Sequence, residues 1–265
     1  MTKRAQKSPQ KTVANNNLVI KALKPITAHQ KDLVNSFDHF NYILSYGSAG
    51  TGKTYLSLYL ALQLFEKDQG EKYKNIVIIR SIVPTRDIGY LPGNLREKSA
   101  LYEEPYMQIV NDLYERSDAY EILKQKNIIQ FATTTALRGI TFKNSIIVVD
   151  EMQNMTDHEI NSLVTRMGDN VKLLMCGDGA QVDLNPRKEE TGFYEFINTV
   201  QRMSTVATIK FDTSDIVRSA FVREYILARE NIKQPPKGFG DTTPSFIMVK
   251  NDDRHLATTT TTTQQ

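Results

Sequence analysis

The sequence predicts a doubly wound α/β fold, a mostly parallel sheet with helices on both faces, and three observations carry that prediction. Six short β-rich runs recur along the chain with helical stretches between them. The runs are mostly continuous in apolar residues rather than alternating, as strands read when both faces of a parallel sheet are covered. Glycine-rich or acidic segments follow several of them directly, at the strand ends where such sheets gather ligands.

The first run, Tyr42 to Tyr46, passes into GSAGTGKT, Gly47 to Thr54, and then into the apolar helical run Tyr55 to Phe65. A strand, a glycine-rich loop and a helix in that order make a P-loop. Backbone N–H groups along Gly47, Ser48, Ala49, Gly50, Thr51 and Gly52 cradle phosphate oxygens, and glycines let the chain approach that closely. Lys53 is placed to reach the β and γ phosphates, with the Thr54 hydroxyl as a magnesium ligand.

The second run is Asn75 to Arg80 and the third Ile128 to Ala132. Between them, roughly Ser81 to Asn127, lies more chain than a simple crossover needs, with two helical segments after Pro92 and Gly93; such an insertion is functional or an interface. The fourth run, in SIIVVDE (Ser145 to Glu151), ends in two carboxylates. Asp150 is placed to hold magnesium, directly or through water, and Glu151 to orient or deprotonate an attacking water. An aspartate alone would also suit a kinase, and the added glutamate favours hydrolysis. Thr156 to Glu159 has capping-box spacing before Ile160, Leu163, Val164 and Met167, so a helix starts there and stops near Gly168.

The fifth run, Val171 to Cys176, leads into GDGAQVD, Gly177 to Asp183. Gln181 there can hydrogen-bond the γ-phosphate or the water, and Asp178 either faces the nucleotide or forms the turn. After the sixth run, Val206 to Phe211, a last helix from Asp215 to about Asn231 carries Val217, Phe221, Tyr225 and Ala228 on one stripe.

With 265 residues, 40% of them hydrophobic, the chain buries a full core. Residues 1–17 are polar and basic, and the stretch from Lys233 on carries Pro235, Pro236, Pro244 and a threonine run, so 1–17 and 233–265 read as disordered tails around one domain, 18–232. A net charge of +3 confines any nucleic-acid surface to a local patch. The single cysteine, Cys176, excludes an intrachain disulfide. No apolar run approaches the ~20 residues of a membrane span, and the start has no apolar h-region; the expectation is a cytoplasmic protein away from membranes. His29, His39, His158 and His255 are scattered without metal-ligand spacing.

Seven collinear pieces, GSAGTGKT, GYLPGNLREK, LRGITF, VVDEMQN, LVTRMG, GDGAQVDL and DIVRSAFV, span about Gln30 to Glu230 and make the chain resemble the PhoH-like ATPases, compact relatives of superfamily 1 helicases. The resemblance implies a RecA-like core in which the strand after the DE strand inserts between it and the P-loop strand, bringing Gln181 to the γ-phosphate side. It implies ATP and Mg2+ as cofactors, Gln30 as the reader of the adenine edge, and Arg218 in DIVRS as the arginine that helicase relatives take from a second lobe, with Arg138 and Arg166 as weaker counterparts. Without a second lobe, that arginine is expected from a neighbour in a closed, hexameric ring. RNA or single-stranded DNA is the implied partner, through Arg80, Arg86, Arg96 and Lys98. A nucleotide-gated assembly module and a P-loop kinase are the competing readings.

Overall fold

Apolar residues build the strands β1 (Tyr42–Gly47), β2 (Asn75–Arg80), β3 (Ile129–Thr133), β4 (Ser145–Asp150), β5 (Val171–Gly177) and β6 (Val206–Phe211), chiefly valine and isoleucine in β2 and β4. In the computed structural model, which describes residues 18–81, 95–137, 139–178 and 192–233, these strands form one sheet of order β3-β2-β4-β5-β1-β6. Every pairing is parallel. β5 lies between the DE strand β4 and the P-loop strand β1, the order that the family resemblance implies. The six strands begin and end within a residue of their sequence-based bounds.

Pleating divides the core in two. Ile146 and Val148 of β4 face a cluster with Ile43, Ile76 and Ile78 under α1 (Ala28–His39), α2 (Lys53–Asp68), α3 (Leu95–Leu113) and α4 (Ala119–Gln125). Ile147 and Val149 face the opposite cluster, with Met175 under α5 (Asp157–Val164) and α6 (Phe193–Val200). Each such buried branched side chain contributes about 1.5–3 kcal/mol. All six residues of β4 are buried, so its register is fixed and the carboxylate of Asp150 emerges at one defined end.

α5 has the predicted capping box, with Thr156 accepting from Glu159 N and Glu159 accepting from Thr156 N. It ends a turn before Gly168, because Met167 leaves the helix to bridge Phe142: Phe142 N donates to Arg166 O and Gly168 N to Phe142 O, each at 2.9 Å. Glu159 also ties three elements together. Its Oε1 accepts from Ser81 after β2 (3.0 Å) and from Thr134 after β3 (2.5 Å). Partial burial works to raise this carboxyl, but hydrogen bonds from Thr134, Thr156 and Ser81 outweigh it and hold the group below its ordinary value. Glu159→Ala is therefore expected to cost about 1–3 kcal/mol in urea unfolding. The folded value is depressed, so this contribution is present above the ordinary pKa of 4.5 and lost as pH falls through the folded value. An Ala variant whose stability deficit is the same at pH 7 and pH 3 contradicts this account.

The last helix, α7 (Ala220–Lys233), begins five residues later than the sequence suggests. Asp212 and Asp215 first cap a 3-10 turn, and Val217 N then donates to Gly50 O at 3.0 Å, which pins the segment across the P-loop before the helix starts. The expected stripe does not face the sheet: Phe221 is 77% and Tyr225 56% exposed. The tail segments 1–17 and 234–265 lie outside the described residues, as do Arg86, Arg138 and Gln181 and the side chains of Arg96 and Lys98. Among the described residues, no helix is long and apolar enough to cross a membrane.

Candidate nucleotide site

The P-loop is shaped by what surrounds it. Gly47 ends β1 at φ 127°, and a Cβ there would lie 1.9 Å from Phe211 O on the neighbouring β6, so no other residue fits. Gly50 and Gly52 share the positive φ, at 73° and 82°. Inside the loop, Thr51 Oγ1 donates to Ser48 O at 3.1 Å, and both residues are buried. α2 begins at Lys53, so its positive dipole end opens into a cleft of 540 Å3 that Ala49, Gly50, Thr54, Asp150, Glu151 and Asp178 help to line.

Lys53 folds into this loop, its Nζ donating to Ser48 O (2.7 Å), Gly47 O (3.1 Å) and Thr51 Oγ1 (3.2 Å). Burial draws its ammonium below the usual lysine range, while the charges of Asp178, Asp150 and Glu151 act in the opposite sense.

At the end of β4, Asp150 is 8% exposed and both its oxygens are engaged. Oδ1 accepts from Thr54 Oγ1 at 2.7 Å, and Oδ2 accepts from Tyr106 Oη at 3.0 Å. The two oxygens that the sequence assigns to magnesium thus come together on adjacent strand and helix ends. They are hard donors facing an open cleft, a set that suits Mg2+.

Glu151 occupies the left-handed region, φ 55° and ψ 39°, a conformation that costs a non-glycine residue about 1 kcal/mol or more and concentrates at functional sites. Its Oε2 accepts from Gln153 Nε2 at 2.5 Å, and Gln153 Oε1 accepts from Asp178 N at 2.8 Å. One buried glutamine therefore joins the tips of β4 and β5. Burial first, and the charge of Asp150 second, raise the Glu151 carboxyl above its ordinary value, while Arg80 opposes them. Arg80 ends β2, as the second run predicts, in register with Asp150.

Gln30 is buried in α1 rather than on the surface. Its Nε2 donates to Thr51 O at 3.1 Å and its Oε1 accepts from Ile26 N at 2.8 Å, so the amide braces the P-loop. It also lines a second cleft of 290 Å3 beside the loop, with Leu23, Ile26, Gly52, Tyr55 and Val217. That cleft is mostly apolar and flanks the P-loop.

Arg218 lies against the loop of its own chain, with Cγ 3.0 Å from the position of a Cβ on Gly50, and it lines both clefts. Arg166 is engaged elsewhere, donating to Ile140 O at 3.2 Å and Ser162 Oγ at 3.3 Å. Gln181 and Arg138 fall outside the described residues. His29, read as unconnected, bonds Asp215 Oδ2 at 2.5 Å, and with Asp212 the three offer ligand atoms within 4.8 Å of one another. Asp212 and Asp215 are already committed to the 3-10 cap.

Sequence reasoning missed Tyr106, Gln153 and the role of α3, whose Pro105, Gln108, Ile109 and Asp112 form one wall of the main cleft. The adjacency of Gln153 to the DE pair was a usable signal. Nothing in the spacing of Tyr106 pointed across 44 residues to Asp150.

A family model described as PhoH-like protein matches residues 22–230. The chain is 30% identical over 222 residues to a PhoH-like protein of Mycobacterium tuberculosis, covering 82% of this chain and 61% of that protein. It is 29% identical over 209 residues to a PhoH-like protein of Bacillus subtilis, covering 78% and 64% of the two chains. It is 32% identical over 189 residues to protein PhoH of Escherichia coli, covering 70% and 52%. Among solved structures, Pif1 helicase from Candida albicans aligns with a TM-score of 0.37 at 15% identity, over 76% of this chain and 43% of that one. The chain spans about three fifths of the length of the mycobacterial relative.

Proposed function

The chain belongs to the PhoH-like protein family, and on that premise we propose that it is a magnesium-dependent ATPase acting with RNA or single-stranded DNA as a homo-oligomeric ring. The observation that carries the hydrolytic part is the junction of Thr54 and Asp150 at 2.7 Å with Glu151 as the next residue, held in a strained conformation above the P-loop.

In this reading the loop amides and Lys53 bind the β and γ phosphates, and Gln30 and the 290 Å3 cleft receive the base. Thr54 and Asp150 hold Mg2+, which when bound neutralises charge developing on the phosphate oxygens. Glu151, with a raised pKa, takes the proton of the attacking water, and Gln153 orients its carboxylate. Arg218 approaches the phosphates from the same chain, and the γ-phosphate contact that the resemblance implies is assigned to Gln181. The test is product analysis with Mg2+ and with chelator: free phosphate that depends on Mg2+ and rises with added single strands is expected. Phosphate release indifferent to RNA and DNA, together with no filter retention at low salt, removes the nucleic-acid part; a phosphorylated acceptor in place of free phosphate replaces the whole with a kinase.

A second reading, nucleotide-gated assembly, draws on the exposed Phe221 and Tyr225 of α7. The same helix packs Ile226 near Gly50, with Cδ1 3.6 Å from the position of a Cβ there, so movement of the P-loop and of this apolar face would be coupled. Ring formation and hydrolysis are compatible on this geometry.

A further inference from the structure

The Asp150 carboxylate sits at the tip of a strand, and rotation about the last torsion of an aspartate is soft and roughly two-fold, so one hydrogen bond to Thr54 leaves its orientation loosely defined. The second bond, from Tyr106 Oη to Oδ2 at 3.0 Å, fixes it. Tyr106 is itself immobile: 1% exposed and set against the Phe131 ring of β3, with centroids 5.8 Å apart. It is carried by α3, the helix whose Pro105, Gln108, Ile109 and Asp112 line the same cleft.

We propose that Tyr106 is the positioning residue of the metal site, its hydroxyl holding Asp150 Oδ2 so that Oδ1 stays directed toward Thr54, and that through this bond α3 controls metal affinity. The inference rests on the ATPase reading above, since it concerns how Asp150 receives Mg2+. Thr54 and Asp150 Oδ1 would hold the metal, while the Tyr106 bond engages the other carboxylate oxygen. Partners one step behind a metal ligand typically change its affinity about 10–100-fold when removed.

The test uses Mn2+ as a spin-visible probe, titrated by EPR into the full chain with a non-hydrolysable ATP analogue. Tyr106→Phe keeps the ring and removes only the hydroxyl; Phe131→Leu loosens the ring from behind without touching Asp150. Tyr114→Phe is the control, deleting another tyrosine hydroxyl bond, partly buried, to Glu66 Oε1 at 2.7 Å, outside the cleft. Tyr106→Phe is expected to weaken Mn2+ binding about 10–100-fold, with Phe131→Leu changing it in the same direction by less. Analogue binding in chelator stays at the wild-type value in both, and Tyr114→Phe keeps wild-type Mn2+ affinity. In hydrolysis assays the Mg2+ concentration for half-activity should rise in Tyr106→Phe, with the rate recovering at saturating Mg2+. Wild-type Mn2+ affinity in Tyr106→Phe, or an equal loss in Tyr114→Phe, overturns the inference while leaving the ATPase reading intact. Failure of the wild-type protein to bind Mn2+ with nucleotide overturns both.

Discussion

Lys53→Ala is expected to lower the rate of ATP hydrolysis by about 10²–10³-fold or more, the loss that follows removal of one preorganised donor facing developing charge. Lys53 is 9% exposed and already gathered into the loop by Ser48 O and Gly47 O, so its charge meets phosphate in a dry setting where it counts most. The same burial separates catalysis from folding. Because the folded pKa lies below 10.5, the charged lysine opposes folding at neutral pH, and stability from this residue rises with pH between the folded value and 10.5. Alanine removes that opposition together with three hydrogen bonds, so the unliganded variant should melt near the wild type and lose the alkaline rise. ATP with Mg2+ at about a hundred times its Kd should stabilise the wild type by about 2.7 kcal/mol and the variant by much less. Phosphate release and thermal shift on the two proteins decide the matter: a variant that hydrolyses ATP at the wild-type rate removes Lys53 from the site.

The sheet was legible because its signal is redundant. Most strands are dominated by apolar residues, β4 with four in an unbroken row, and the junction residues at Gly47, Asp150 and Gly177 mark strand ends, of which Asp150 and Gly177 line the cleft. The capping box of α5 was legible for the same local reason, a hydroxyl and a carboxylate three residues apart. What could not be read was long-range. The start of α7 is decided by Val217 reaching Gly50, and the end of α5 by Met167 pairing with Phe142; neither partner is near in sequence. The stripe Val217, Phe221, Tyr225 has helical spacing, but spacing alone does not say whether a stripe faces a core or solvent, and here Phe221 and Tyr225 face solvent. Tyr106 and Arg218 illustrate the same limit within the site. The first looks like an ordinary core aromatic until Asp150 appears beside it, and the second belongs to a segment whose path over its own P-loop only the tertiary fold defines.

Glu151→Gln is expected to reduce hydrolysis by about 10²–10⁴-fold, the usual contribution of a general base, while leaving nucleotide binding in place. The substitution keeps size and backbone, so the left-handed turn at φ 55° and the 3-10 turn after it persist. It also removes one of two carboxylates crowded at the end of β4, so the fold should hold its stability or gain. The pH dependence gives the sharper test. A base acts only when deprotonated, and burial followed by the charge of Asp150 places the Glu151 pKa above 4.5. The wild-type rate should therefore fall on acidification along a limb centred above 4.5, displaced from that of a solvent-exposed glutamate. In Glu151→Gln the residual rate should be flat across the same range, because no base remains to titrate. A limb that survives the substitution assigns the proton to another group, with Asp178 the next candidate across the Gln153 bridge. The variant also separates the two functional readings, because it holds ATP without turning it over. If hydrolysis drives action on a nucleic acid, single strands bind and are not released or remodelled; if nucleotide only gates assembly, size-exclusion chromatography shows one locked oligomeric state and behaviour toward RNA and DNA is unchanged.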